Sequence, residues 1–412
     1  MTKQWLRAVG TAAVLTLVAV SAQASPSLFS PLDVVSFGKA LSLDPSYDAL
    51  VNDPATGNLH LVQADAAALT DKTATVTLGL APGYEVRAHQ VESFRSTSGN
   101  LIWSGVIEDP GAVTVPFSPQ ALRFDPINSV VLVKDGDQID GNVHVGGHWY
   151  AIRSLKSGGH AIVEMNMAAM PPDHPENAKL PVRRMPATPG MNKASTIRVM
   201  VHYTSSAASA AGNISSLIDL AITESNIGYA NSGVGITLQL ATKAQITYTQ
   251  SGSFSTDLSR YRGTSDGYMD SVHTTRNSVA ADVGVLVINN SSSCGLASGI
   301  GSTASTAFAA AHWSCITGYY SFAHEIGHLL SARHDPATDP STSPYRYGHG
   351  YRYTGSPDWR TIMAYDCPGG CPRLNYWSSP LKLYNGVPMG NSTQSDNARV
   401  LNARAATVAA FR

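Results

Sequence analysis

An α+β architecture, close to α/β in its second half and preceded by a β-rich first half, is what the sequence predicts. Three observations carry it. Residues 25–170 hold short β-branched and aromatic runs divided by turn signals. Beyond about residue 196, buried-strand patterns alternate with helical periodicity. All four cysteines, at 294, 315, 367 and 371, lie in the last third of the 412 residues, so the two halves differ in construction.

Residues 1–24 read as a secretory signal: Lys3 and Arg7 precede an apolar run from Ala8 to Val20, and Ala22-Gln23-Ala24 is a small-x-small cleavage site. The run is too short for a bilayer-spanning helix, which needs about 20 apolar residues. Strand candidates follow at Ala74–Leu80, Tyr84–Val91, Leu101–Ile107 and Ser129–Lys134, with turns at Ala81-Pro82-Gly83, Ser98-Gly99-Asn100 and Lys134-Asp135-Gly136-Asp137. Gln138–Val145 and His148–Ser154, joined through Gly146-Gly147, form a hairpin pattern. Residues 171–195 are Pro-rich and read as a linker carrying a processing site within about 183–196. In the second half, 196–412, Thr196–Tyr203 and Asp282–Asn289 read as buried strands and Val234–Leu240 as a further strand. Ala211–Gly228 and Asp266–Ser278 read as helices.

Composition narrows the function. Lys plus Arg number 28 against 29 Asp plus Glu, so no basic excess exists to neutralise nucleic-acid phosphates. Hydrophobic residues at 43% are enough for a sizeable core. After removal of the signal, no membrane-spanning run remains and the chain is expected outside the cell. An even number of cysteines in an exported chain suggests two disulfides. Nearest-neighbour pairing gives Cys294–Cys315 and Cys367–Cys371, with two other connectivities open; a four-cysteine metal site is the rival.

Chemistry concentrates in Ser321–Asp335, SFAHEIGHLLSARHD. His324 and His328 lie four apart, on one helix face, and can bind one metal. Phe322, Ile326, Leu329 and Leu330 form the opposite, apolar stripe. Glu325, the only Glu after Glu224, projects between the two faces, where a carboxylate can take a proton from a zinc-activated water. With 13 His in the chain, HExxH arises by chance in roughly 0.7% of such sequences; a third His six residues on lowers this to about 0.02%. A continuing helix would carry His334 about 15 Å along the axis from His324. The chain must therefore leave the helix near Leu330–Ala332 and turn back.

The motif resembles that of the metzincin zinc endopeptidases, HExxHxxGxxH with a downstream Met-turn. His324, Glu325, His328 and His334 match it, and Asp335 is like the reprolysin branch. The family's Gly is Ser331 here, and a non-Gly residue in a left-handed turn costs on the order of 1 kcal/mol. Trp359–Tyr365 (WRTIMAY) is similar to a Met-turn, with Met363 packing beneath the histidines. Tyr365 takes the place of a phenol that reaches the metal region as ligand or oxyanion donor, against the bland reading of a buried tyrosine. The second half, with Asp396-Asn397-Ala398-Arg399, is most similar to bacterial reprolysin-like and peptidyl-Asp metalloendopeptidases.

That resemblance implies a metzincin catalytic domain at 196–412, with a mixed twisted sheet and an active-site helix. It also implies one catalytic zinc on His324, His328 and His334, Glu325 as general base, and polypeptide substrates. Nothing in the sequence assigns a calcium site. Ala307–His312 is expected to be the edge strand that pairs with substrate, braced by Cys294–Cys315. Asp366–Ser379, stiffened by Cys367–Cys371, shapes the pocket beyond the cut; Arg373 there favours an acidic side chain or is a solvated surface residue. By position, residues 25–170 resemble a propeptide, an intramolecular inhibitor. Without cysteine, they exclude a thiol switch, leaving Asp173 or His174 as zinc caps or mere linker; a permanent binding module competes with the propeptide reading. Two other functions stand beside the protease: an inactive zinc-stabilised binding or adhesion protein, against which Glu325 argues, and a zinc amidase acting on non-protein bonds.

Overall fold

A computed structural model describes residues 27–108, 125–176, 178–183 and 194–412. The signal segment 1–24 and most of the expected processing region lie outside the described residues.

The described residues of the first half form one antiparallel sheet of nine strands: β1 (Phe29–Pro31), β2 (Thr56–Ala64), β3 (Thr75–Ala81), β4 (Tyr84–Arg95), β5 (Leu101–Ile107), β6 (Ser129–Asp135), β7 (Gln138–Val145), β8 (His148–Ser154) and β9 (His160–Met165). Their order is β1-β2-β9-β8-β7-β6-β5-β4-β3. Two helices, α1 (Val34–Leu41) and α2 (Pro45–Val51), sit between β1 and β2. Asp44 caps α2 by accepting from the Ser46 and Tyr47 amides. The central strands are buried on both faces, so successive residues join different cores. Trp103 and Leu132 pack with the sheet's own cluster, whereas Ile102 and Val131 pack with the core of the second half.

That second core is built on a five-stranded sheet ordered β11-β10-β12-β14-β13. Its strands are β10 (Ser195–Tyr203), β11 (Ile236–Gln245), β12 (Val283–Ile288), β13 (Gly295–Ala297) and β14 (Phe308–His312). β11, β10, β12 and β14 are parallel, and β13 runs antiparallel at the edge. β12, VGVLVI, is buried throughout, as expected of a strand covered on both faces. Helices α3 (Ser205–Ala210), α4 (Ile214–Ser232), α5 (Phe254–Arg262), α6 (Val272–Ser278), α7 (Ser321–Leu329) and α8 (Asn397–Val408) surround it. The Asn213 side chain caps α4 and Gly233, at φ 72°, ends it.

Three expectations are corrected. Ala307–His312 is not the edge: β14 lies between β12 and β13, and the short strand Gly295–Ala297 takes the outer place. The helix expected over Asp266–Ser278 is only Val272–Ser278, while Phe254–Arg262, capped by Ser253, is a helix the periodicity did not reveal. Arg373 is not a solvated surface residue but is buried. The structure pairs Cys294 with Cys315 and Cys367 with Cys371.

The two halves share one continuous core, stitched by buried polar contacts. Glu224 of α4 accepts from Asn142 of β7 at 2.6 Å and from the Gly318 amide at 2.8 Å. Burial pushes the Glu224 carboxyl up to about 7 despite those donors. Asp219 accepts from Ser96, Ser98 and Asn100 and pairs with Lys243 at 2.9 Å.

Candidate active site

Helix α7 carries the first two histidines, and its apolar stripe of Phe322, Ile326 and Leu329 is fully buried in the main core. The helix ends where His334 requires it to. Leu330 is its last cap, and Ser331 takes φ 79°. The Ser331 and Ala332 amides then bond back to His328 and Gly327 carbonyls, the closure usually given to Gly. Ser331 thus occupies the left-handed turn expected of it, with a buried hydroxyl that has no partner.

This turn brings His334 beside the other two. The Nε2 atoms lie 3.1 Å (His324–His328), 3.0 Å (His328–His334) and 3.2 Å (His324–His334) apart. Two of the three have their ring proton committed elsewhere. His324 Nδ1–H donates to the Ile362 carbonyl at 3.0 Å and His328 Nδ1–H to the Ala332 carbonyl at 2.9 Å. Those tautomers, assigned from their partners, leave the Nε2 lone pairs converging on one point. Burial first, and then neighbouring cationic groups, hold all three histidines well below the usual imidazole range, hence neutral. Three converging neutral imidazoles fit a tetrahedral metal with one position left over. The cluster is buried, and His174 completes it as a fourth imidazole.

Glu325 is buried with neither carboxylate oxygen hydrogen-bonded; its Oε1 lies 3.3 Å from His174 Nε2. Burial raises its carboxyl above the ordinary value, although His174 opposes this. A Cβ on Gly295 would come within 2.4 Å of Glu325 Oε1, so the bare edge strand leaves room for that carboxylate. Met363 is fully buried. It packs under α7, where a Cβ on Gly327 would lie 2.9 Å from its sulfur. Asp335 ties the histidine turn to the Met-turn: its carboxylate accepts from the Tyr365 amide at 3.1 Å and pairs with Arg352 at 3.0 Å. The Tyr365 ring stands 4.5 Å from that of His334, and burial raises its phenol above the usual range.

Arg373 lies behind this centre. Its Nη2 donates to both oxygens of Asp173, at 2.7 and 2.6 Å, and its Nη1 donates to the Tyr319 carbonyl at 3.1 Å. Arg360 stands 3.9 Å from the same carboxylate and 3.5 Å from Asp366. Burial disfavours the Asp173 charge, but Arg373 and the other cations hold its carboxyl down at about 2. Sequence reasoning named Arg373, Asp173 and His174 but gave Arg360 no role. Its only signal was a charged residue inside an otherwise uncharged Met-turn.

The structure thus brings together His324, His328, His334, Glu325, Asp335, Met363 and Tyr365. The model of metallo-peptidase family M12 (Reprolysin_5) matches residues 193–378. A peptidyl-Asp metalloendopeptidase of Stenotrophomonas maltophilia is 51% identical over 431 residues, covering 98% of this chain and 99% of its own. The chain belongs to the peptidyl-Asp metalloendopeptidase family. A member from Xanthomonas campestris pv. campestris is 51% identical over 378 residues, 90% of this chain and 89% of its own. One from Pseudomonas fragi is 52% identical over 190 residues, 46% of this chain and all of its own. The chain is therefore a zinc-dependent endopeptidase acting on polypeptides, as the metzincin resemblance implied. The inactive-binder and amidase readings find no support among these family members.

Proposed function

We propose that this chain is the exported precursor of a zinc endopeptidase that cuts polypeptides beside acidic residues. Residues 1–24 act as its signal, 25–170 as a propeptide-like inhibitor, 171–195 as the processed linker and 196–412 as the catalytic domain. The observation that carries the reading is the convergence of three neutral imidazoles beside the buried Glu325, whose nearest polar partner is His174. His324, His328 and His334 would hold one zinc. When bound, zinc polarises a peptide carbonyl and makes a nearby water acidic near neutral pH. Glu325 accepts that water's proton on a carboxylate oxygen and returns it to the departing amine, a task suited to a carboxyl whose affinity for protons burial has raised. The Tyr365 hydroxyl donates to the oxygen that gains charge. The Ile362 and Ala332 carbonyls keep two imidazoles in the ligating tautomer.

The names of the peptidyl-Asp metalloendopeptidase relatives and the buried Arg373–Arg360 pair support the acidic preference. Two disulfides, and the finding that no described helix is long and apolar enough to cross a membrane, are compatible with export. Casein cleavage by the secreted protein, with and without a zinc chelator and beside Glu325→Ala, tests the reading. Loss of activity in both cases is expected. Full activity in either would overturn it.

A further inference from the structure

The segment leaving the first half does not pass over the cleft; it enters it. The Pro172 carbonyl accepts from the Cys294 amide at 2.8 Å and the Asp173 carbonyl from the Gly295 amide at 3.0 Å. Further on, Pro181 accepts from the Ile300 amide at 2.9 Å and Arg183 donates to the Ile300 carbonyl at 3.0 Å. At residues 172–173 and 181–183 the entering segment therefore lies along Cys294–Ile300, the stretch that contains the edge strand β13, an edge where an extended peptide can add.

Its side chains then reach two places. Asp173 is buried on Arg373 with Arg360 behind. His174 is buried against the three-histidine cluster, its ring centroid 4.9 Å from that of His328 and 4.7 Å from that of His334. A carboxylate is costly to desolvate, so a buried pocket that accepts one must present matched charge and donors. Asp173 is the one carboxylate hydrogen-bonded to Arg373 among the described residues.

We propose that Asp173 and His174 form a two-point latch. The Asp173 carboxylate fills the subsite that receives a substrate's acidic side chain, and a ring nitrogen of His174 fills the remaining coordination position of the metal centre. Substrate and inhibitor thus compete for the same guanidinium. This rests on the zinc-endopeptidase reading above.

The latch also has a consequence for cleavage of the bound segment itself. Both peptide bonds flanking Asp173 have their carbonyl oxygens held by amides at the β13 edge, Cys294 and Gly295. With both oxygens committed to those amides, the aspartate sits in the pocket without a free carbonyl to be attacked.

The test uses the full, uncut chain loaded with zinc, its integrity followed by mass spectrometry. X-ray absorption at the zinc edge should count four imidazoles in the wild type and three plus an oxygen donor in His174→Ala. His174→Gln, which keeps a polar side chain of similar reach, should give the same change and guards against a folding defect in the first variant. Matched peptides carrying Asp or Asn form the second readout. Asp173→Asn should raise cleavage of the Asp peptide by the uncut chain at least about 30-fold, the effect of unpairing one buried charge, and Asp173→Ala should act in the same direction. A wild-type site with three imidazoles, unaltered in both His174 variants, would overturn the metal point of the latch. Unchanged cleavage in both Asp173 variants would overturn the pocket point. Either result beside an active processed enzyme leaves the endopeptidase reading standing, whereas zinc bound without these histidines would remove that reading itself.

Discussion

Replacing Arg373 by Ala in the processed enzyme should remove most of its discrimination between Asp and Asn beside the cut. Asp173 serves as the measure of what the pocket does for a carboxylate. Both its oxygens lie within 2.7 Å of one Arg373 nitrogen, and both side chains are almost wholly buried. Two unit charges about 4 Å apart attract by about 4 kcal/mol at an effective dielectric constant of 20. Desolvation takes back part of that, and truncating one partner of such a buried pair costs about 2–5 kcal/mol. Arg360, 3.9 Å from the carboxylate, remains and retains some attraction. The lower half of the range then applies, so the Asp-over-Asn ratio in kcat/KM should fall on the order of 100-fold. Arg373→Lys keeps the charge but loses the planar fork, and should fall between. The assay is competitive hydrolysis of two peptides identical except for Asp or Asn. The ratio matters more than the rate, because Arg373 also donates to the Tyr319 and Ala364 carbonyls and its loss can loosen the Met-turn. A ratio unchanged in Arg373→Ala would refute the assignment of the pocket, whatever happened to the absolute rate.

Other perturbations probe other parts of the structure. Gly295→Ala would drive a Cβ to within 2.4 Å of Glu325 Oε1; kcat should drop about 100-fold through a displaced base, while zinc content by atomic absorption stays at one ion per chain. Ser331→Gly should stabilise the protein by about 1 kcal/mol in chemical denaturation. Relief of the φ 79° turn and loss of an unpartnered hydroxyl outweigh the added freedom of the unfolded chain. Glu224 has its folded pKa raised from 4.5 to about 7, so its contribution is most favourable below 4.5 and is lost as pH rises through about 7. Urea unfolding of the full chain should therefore show a loss from this group of up to about 3 kcal/mol between pH 5 and pH 8. Glu224→Gln should flatten that slope, leaving a smaller one from Asp140, whose carboxyl burial raises to about 6.

Local signals made much of this legible. β5, β7 and β8 fall where alternation and turn residues put them, because a hairpin closed by Gly146-Gly147 is specified within its own few residues. The histidine cluster was legible for the same reason. A fixed spacing on one helix, with a third His just beyond a forced turn, leaves little choice of geometry. What escaped depended on distant partners. Whether Phe308–His312 or Gly295–Ala297 forms the sheet edge is decided by pairing across the sheet, and both segments are short and apolar. Helix α5 was missed because its sequence, FSTDLSRYR, offers only Phe254, Leu258 and Tyr261 to the core. The burial of Arg373 and the role of Arg360 arise from a carboxylate 200 residues away in the chain, which no window of sequence contains.

The shared core of the two halves bears on what a cut in the linker would accomplish. Ile102, Val131 and Trp149 of the first sheet belong to the same apolar cluster as Ile214, Leu217 and Leu220 of α4, and beyond the latch Pro181 and Arg183 are hydrogen-bonded to Ile300. Severing the chain after residue 183 breaks none of these contacts. It would change only the arithmetic: if the first half is the proposed inhibitor, it passes from the effective concentration set by a short tether to the concentration of the solution. Cleavage would then yield a tight two-fragment complex. Activity would appear on dilution or once the first sheet is itself digested, so that the same cut would be silent in a crowded compartment and decisive outside it.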